Sequence, residues 1–284
     1  MHIGVAIFPT DTTIQPTDLA VAVEDRGFES LWFPEHSHIP AERTTPWAGR
    51  AGAPPLPEHY WRTHDQFVAL AAAAAVTSRL RLATGITLVA QRDPIWLAKE
   101  VASLDTISNG RLIFGIGYGW NKEEMRHHGV AYGERRAVLR ENVLAMKALW
   151  TEDEASFTGE HVSFGPSWSW PKPVQRPHPP IVMGGAPGPK TLAAVVELCD
   201  GWMPIHGRHD VEAHIAQLQS LAESAGREPI EVGVFFAPPD AEVLDRLAAA
   251  GVARVVLRLP QGKPDEVLRA LDDMASLVER TAAP

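Results

Sequence analysis

The chain has 284 residues, 45% hydrophobic and 21% charged, the balance of an ordinary globular protein with room for one large α/β barrel or two modest domains. A net charge of −9 argues against nucleic acid or an anionic membrane surface as the main partner, while leaving room for a local basic pocket that binds a phosphate. The single cysteine, Cys199, excludes an internal disulfide, fits a reducing compartment and reads as a small buried hydrophobe.

The run Ile3–Phe8 is apolar, rich in β-branched residues and closed by Pro9. With no basic segment before it and no cleavage site after it, it reads as a first strand and not as a signal peptide. The longest apolar run, Phe67 to Val76, is half of the ~20 residues a bilayer span requires, so a cytoplasmic protein without a membrane partner is expected. Helical spacing over Asp18–Arg26 stops at Gly27, and Ser30–Phe33 is a second strand ending in Pro34-Glu35-His36. Residues 37–62 then break the rhythm with prolines, with Trp47, Tyr60 and Trp61, and with Arg43, Arg50 and Arg62. So long an irregular insertion inside a compact domain reads as a lid, and its aromatic residues as the wall of a substrate pocket.

Thr63-x-x-Gln66 has the form of a capping box opening the alanine-rich helix to Val76, and Leu80–Leu88 is a third strand. Asp93-Pro94 supplies an N-cap and a first-turn proline for a helix to Ile107. Asn109-Gly110 turns the chain into a fourth strand, Leu112–Ile116, which runs out through Gly115, Gly117 and Gly119 past Tyr118 and Trp120. Glycines spaced by two leave that strand end bare, so that a ligand can lie against the backbone. Glu134–Trp150 is a long helix, and Ala155–Phe164 reads as a small hairpin about Gly159 within a second irregular excursion, residues 151–180. Four more strands follow, Ile181–Gly185, Trp202–Ile205, Ile230–Phe236 and Arg254–Leu259, each with a helix behind it.

Eight strands, each followed by a helix, in a length near the ~250 residues usual for the fold, predict a (β/α)8 barrel with insertions after the second and fourth strands. One domain over residues 1–284 is expected. In such a barrel the chemistry sits at the C-terminal strand ends. That filter selects Glu35, His36 and His38, then Gly85 and Ile86, then the glycine-rich stretch, then Gly184 and Gly185. His36 is the best candidate for proton transfer, because imidazole titrates near neutral pH, and Glu35 is placed to orient it. The alternative is a structural His–Glu pair that ties down the insertion. Gly184-Gly185-Ala186-Pro187-Gly188 precedes a helix whose N-terminus suits a phosphate. His36-Ser37-His38 also sets two imidazoles on one side of an extended segment, which keeps a metal-dependent barrel hydrolase as an alternative from another class, although its later strand ends offer few further ligands.

Pro34-Glu35-His36, Gly85-Ile86, Leu104-Asp105-x-x-Ser108-x-Gly110-Arg111, Gly115-Ile-Gly117-Tyr-Gly119-Trp120-x-x-Glu123 and Asp200-Gly201-Trp202 together resemble the bacterial luciferase-like monooxygenase superfamily. The likeness is nearest to its branch of deazaflavin (coenzyme F420)-dependent oxidoreductases. It implies a flavin or deazaflavin at the strand C-termini and a non-proline cis peptide at Gly85-Ile86 behind the ring. It places the cofactor phosphate near Gly117–Asn121 and Gly184–Ala186, hence a cofactor set of Gly85, Ile86, Gly115, Gly117, Gly119, Trp120, Asn121, Gly184, Gly185 and Ala186, and no metal. His36 would face the reactive ring position, with Glu35 and Tyr118 as secondary catalytic candidates. The sugar-phosphate dehydrogenases of the superfamily carry a carboxylate where this chain has Tyr118, and a phenol of pKa ~10 does not take over that role. The expected reaction is hydride transfer between F420 and a small organic substrate; an FMN-dependent two-component monooxygenase is the alternative on the same fold. The apolar helices permit a homodimer.

Overall fold

A computed structural model of the chain describes residues 1–282. Eight strands close into a parallel barrel: β1 (His2–Ala6), β2 (Ser30–Phe33), β3 (Arg81–Thr84), β4 (Leu112–Ile116), β7 (Ile181–Gly184), β8 (Gly201–Met203), β9 (Glu231–Phe235) and β10 (Arg254–Arg258). Around the ring the order is β1-β10-β9-β8-β7-β4-β3-β2, and β1 pairs with both β10 and β2. The predicted (β/α)8 barrel is therefore present. Its helices are α1 (Pro16–Asp25), α3 (Gln66–Val76), α4 (Pro94–Ile107), α6 (Arg135–Thr151), α7 (Pro189–Leu198), α8 (Val211–Ser224), α9 (Ala241–Ala249) and α10 (Pro264–Ala282). Two short helices, α2 (His59–Arg62) and α5 (Lys122–His127), lie on the C-terminal side of the ring, and the expected hairpin is β5 (Ala155–Thr158) with β6 (Ser163–Ser167).

Most strands are shorter than their apolar runs. The third stops at Thr84, because the Gly85-Ile86 peptide is cis, and only Thr87 rejoins the sheet, through a bridge to Ile116. The sixth stops at Met203, since Pro204 has no N–H to continue the ladder; Ile205 then makes a lone bridge to Phe235. The expected capping box also fails. Asp65 is the N-cap of α3, its side chain accepting from the Val68 amide at 2.9 Å. Gln66 instead turns inward, donating to the Phe33 carbonyl at 2.9 Å and bonding Thr87 Oγ1 at 2.5 Å. Asp93 does cap α4, accepting from the Ile95 and Trp96 amides at 2.9 Å each.

The barrel interior is filled by Trp32, Ile113, Val182, Met203, Phe235 and Val256, with Ala6 and Ala83 giving the large rings room. Trp32 meets Phe235 edge-on at 5.2 Å and donates to Ser30 Oγ at 2.8 Å, so its N–H is not orphaned. A larger apolar layer lies between strands and helices, and Cys199 is buried in it, its thiol pushed up to about 12 by burial. The motif Leu104–Arg111 proves to be a lock on the strand N-terminal side. Asp105 accepts from the backbone and side-chain amides of Gln175 at 2.9 and 2.7 Å, anchoring the second excursion. Arg111 donates to the carbonyls of Ala74, Thr77, Leu80 and Ser108, which ties the C-terminus of α3 to β4. Glu141 of α6 pins the hairpin by accepting from the amides of Glu160, His161 and Val162. Among the described residues no helix is long and apolar enough to cross a membrane.

Candidate active site

His36 leaves the end of β2 with its side chain almost fully buried, and its Nδ1 lies 2.8 Å from Oε2 of Glu124 in α5, a carboxylate with no exposed surface. A carboxylate can only accept, so Nδ1 carries the proton and the lone pair of neutral imidazole sits on Nε2. Nε2 has no hydrogen-bond partner among the described residues. The ring is walled by Tyr60 at 5.2 Å and by Trp120 at 5.8 Å, while Tyr60 packs in turn on Phe8 at 4.6 Å and Trp47 at 5.9 Å. An aromatic box around a tethered imidazole thus occupies the mouth of the barrel over β1, β2 and β4.

Glu35 is not the partner of His36. Its carboxylate accepts from the Leu88 amide at 2.6 Å and pairs with Arg92, whose other nitrogens reach Glu100 at 2.8 Å and Asp65 at 2.9 Å. Burial pushes the Glu35 carboxyl up, against the opposing pull of Arg92 and the Leu88 amide. Glu35 therefore binds the loop after β3 to α3 and α4 and positions the Gly85-Ile86 peptide, two residues before Leu88. Its carboxylate is thus engaged with Arg92 and the Leu88 amide, where the sequence reading had it orienting His36.

Tyr118 also lies away from His36. The Arg136 guanidinium covers its ring at 4.0 Å, and the phenol lines a cavity of about 310 Å³ between α6 and α7 with Arg136, Arg140 and Lys190. Burial pushes its pKa up, against the pull of Arg136, so it is a poorer acid than a free tyrosine. Trp61 is half exposed and joins no aromatic contact among the described residues, whereas Trp47 and Tyr60 belong to the ring cluster beside His36.

The glycine ladder at the end of β4 has a different cause from the one its spacing suggests. A Cβ on Gly115 would stand 2.0 Å from the Thr84 carbonyl oxygen, and one on Gly117 would stand 2.6 Å from Ile86 Cδ1. Gly184, at the end of β7, gives way to the same side chain, at 2.8 Å from Ile86 Cγ2. The bare backbone of Gly115 and Gly117 therefore admits Thr84 and Ile86, which flank Gly85 at the cis peptide. Gly119 has φ +72° and closes on Leu88, Gln91 and Met125. Asn121 is the N-cap of α5, accepting from the Glu124 amide at 3.3 Å, and its Nδ2 is buried without a partner. Gly185 accepts from Trp202 Nε1 at 3.0 Å, Ala186 is exposed, and Gly188 caps α7. That loop opens beside Lys190 and Arg136, where Arg135 Nε and Arg136 Nη1 are buried without partners.

The lid is fastened by the residue before Glu124. Glu123 accepts from the Thr44 amide at 3.0 Å, the Thr44 hydroxyl at 2.9 Å and the Thr45 amide at 3.3 Å. Against the cost of burial, these donors hold its carboxyl down to about 2, from 4.5. A depressed carboxylate contributes stability that is complete above pH 4.5 and is lost as pH falls through 2. Replacing Glu123 by alanine should therefore expose the Thr44 and Thr45 amides to hydrogen exchange at neutral pH; unchanged protection there would show that the lid is held elsewhere.

Glu123 and Glu124 form the acidic first turn of α5, a local pattern that carries no sign of partners 79 and 88 residues away. His127 ends the same helix and His128 caps it. His127 Nδ1 lies 2.8 Å from His38 Nε2, and Ser37 Oγ lies 2.7 Å from His128 Nε2. His36 and His38 thus each take a separate partner on α5, Glu124 and His127. Among the described residues no group of three or more His, Cys, Asp or Glu could hold a metal ion.

The luciferase-like monooxygenase family model matches residues 13–276. An uncharacterized protein of Mycobacterium tuberculosis is 43% identical over all of this chain and 98% of its own length. An F420-dependent glucose-6-phosphate dehydrogenase of Kineococcus radiotolerans is 30% identical over 80% of this chain and 66% of its own length. An FMNH2-dependent dimethylsulfone monooxygenase of Pseudomonas putida is 28% identical over 60% of this chain and 47% of its own length. The monooxygenase RslO1 of Streptomyces bottropensis shares the fold with a TM-score of 0.79 at 23% identity, each chain fully covered. By family model, relatives and architecture alike, the chain belongs to the luciferase-like monooxygenase family of oxidoreductases.

Proposed function

We propose that the protein is an F420-dependent oxidoreductase acting on a small organic substrate, in which His36 gives or takes the proton that accompanies hydride transfer. The observation that carries this reading is the His36–Glu124 pair, with Nε2 open toward the aromatic box. Glu124 fixes the tautomer and stabilises the imidazolium when His36 holds a second proton. Tyr60, Trp120 and Trp47 exclude water and offer flat apolar walls. Bound F420 supplies the hydride chemistry itself. Ile86, seated by Gly117 and Gly184, would lie beneath its ring, and the unpartnered cationic nitrogens of Arg135 and Arg136, with Lys190 and the Gly184–Ala186 loop, would hold its phosphate.

FMN is the second reading, because the relatives include an FMNH2-dependent monooxygenase. The F420 reading is favoured by the F420-dependent relative, which matches a larger share of the chain at higher identity. Titrating the purified protein with each cofactor and following fluorescence quenching separates them. F420 is expected to bind at micromolar concentration and FMN at least ~10-fold more weakly, about 1.4 kcal/mol. The reverse order would transfer the assignment to FMN, and saturation by neither would remove the cofactor reading altogether.

A further inference from the structure

We propose that the barrel rim over β8, β9, β10 and β1 is a subsite for an anionic group on the substrate, a carboxylate or phosphate received by Arg50, Arg208 and Arg258. Arg258 ends β10, and its guanidinium carbon stands 4.1 Å above the ring of Phe236, the residue that follows β9. Phe236 has φ 62°, a left-handed conformation that a phenylalanine seldom takes, held by its amide donating to the Val256 carbonyl at 2.6 Å. Arg208 follows β8, in a turn closed by its own amide on the Ile205 carbonyl at 3.4 Å. Arg50 comes from the lid, where its amide closes the single turn Trp47–Gly49.

Strands β8 and β10, on either side of β9, carry Arg208 and Arg258 to one side of the rim, and Arg50 lies three residues past Trp47, whose ring packs on Tyr60 at 5.9 Å. The guanidinium of Arg208 is shifted down by burial, then by the charges of Arg50 and Arg258, with only the Tyr60 phenol acting the other way. His59, beside Tyr60, is shifted down by burial and by Arg258. No carboxylate is among the groups that act on Arg208, Tyr60 or His59. Nor does the side chain of Arg50, Arg208 or Arg258 make an ion pair or hydrogen bond among the described residues, whereas Arg26, Arg62, Arg92 and Arg254 each hold a carboxylate. Three like charges gathered without a counter-ion, in a chain of net charge −9, form an arrangement that an arriving anion relieves.

The position selects the substrate over the cofactor. Around the ring β10 lies four strands from β4 in either direction, so the arginines face the cavity of Arg136 and Lys190 across the mouth. Between the two basic sites stand Tyr60 and His36, whose rings are 5.2 Å apart. A small molecule anchored by its anion at the arginine rim would lay its body along Tyr60 and present its reacting carbon near His36 Nε2. The inference rests on the reading of that mouth as the active site; it does not depend on which cofactor binds there.

The test uses the full chain, with and without F420, titrated with benzoate, phenyl phosphate and neutral benzamide while tryptophan emission is followed. At least one anion should bind ~10-fold or more tighter than benzamide, with an affinity that falls as salt rises. The R208Q/R258Q double variant should lose that preference, and R280Q, on the far helix α10, should keep it; both leave polar side chains at exposed positions, and thermal unfolding checks that they fold. Equal binding of anions and benzamide overturns the proposal, as does a preference that survives in R208Q/R258Q. A tenfold loss of F420 affinity in R208Q/R258Q with unchanged anion binding also overturns it, by giving the arginines to the cofactor. Anion preference without any F420 binding upholds the subsite and refutes the F420 reading instead.

Discussion

Replacement of His36 by alanine is expected to lower turnover by ~10²-fold or more while leaving cofactor affinity nearly unchanged, because the loss is that of one positioned proton donor or acceptor. The geometry behind this is specific. Nδ1 is committed to Glu124 at 2.8 Å, and only Nε2 opens to the mouth. Glu124→Gln keeps an acceptor for Nδ1–H and removes the negative charge that stabilises an imidazolium. It should therefore fall between wild type and His36→Ala, with kcat reduced more than KM is raised. Glu35→Gln provides the contrast. Glu35 acts on Arg92 and the Leu88 amide, so its replacement should lower thermal stability and cofactor affinity together. Turnover by His36→Ala at the wild-type rate would leave the His–Glu pair a structural tie for the lid.

The largest effect on stability is expected from Gly115→Ala. The added methyl would meet the Thr84 carbonyl oxygen at 2.0 Å, where β3 and β4 approach and Thr84 Oγ1 donates to the Gly115 carbonyl at 2.7 Å. The obstacle is backbone, so the strands must separate and that hydrogen bond must weaken. Overpacking and the lost bond together destabilise by about 3 kcal/mol, a fall in Tm of roughly 6–12 °C. Gly133→Ala, in open space, should leave Tm where it is. Gly117→Ala differs again, since its methyl meets the flexible end of Ile86 and not backbone. It should cost less in Tm than Gly115→Ala but weaken cofactor binding, by moving the side chain beneath the proposed ring site. A Tm for Gly115→Ala within a degree of wild type would mean that the β3–β4 contact is looser than its geometry indicates.

The architecture was legible before the fold was seen, because barrel strands and their helices announce themselves locally. Apolar runs of four to nine residues, Asp93-Pro94 at a helix start and Asn109-Gly110 at a turn each act within a few residues of themselves. The same locality explains the misreadings. Thr63-x-x-Gln66 satisfied a capping pattern, yet Gln66 was drawn inward by the buried Phe33 carbonyl, and no feature of the local pattern records that carbonyl. Glu35 adjoins His36 in the chain, but successive residues of an extended segment point to opposite sides, so the acid and the base take separate partners.

By itself, then, the sequence determined the barrel, the strand ends that face its mouth, the identity of His36 and Ile86 at that mouth, and membership of the family. The tertiary structure alone decided what those residues do. Glu124 reaches His36 across 88 residues of chain, Glu123 fastens a lid 79 residues away, and Gly115 and Gly117 are bare for Thr84 and Ile86. Arg258 and the lid above β1 share one side of the rim only because ring closure brings β10 beside β1. Strand and helix patterns are encoded by neighbours along the chain, whereas a site is encoded by neighbours across the barrel, and closing the ring is what makes the second kind.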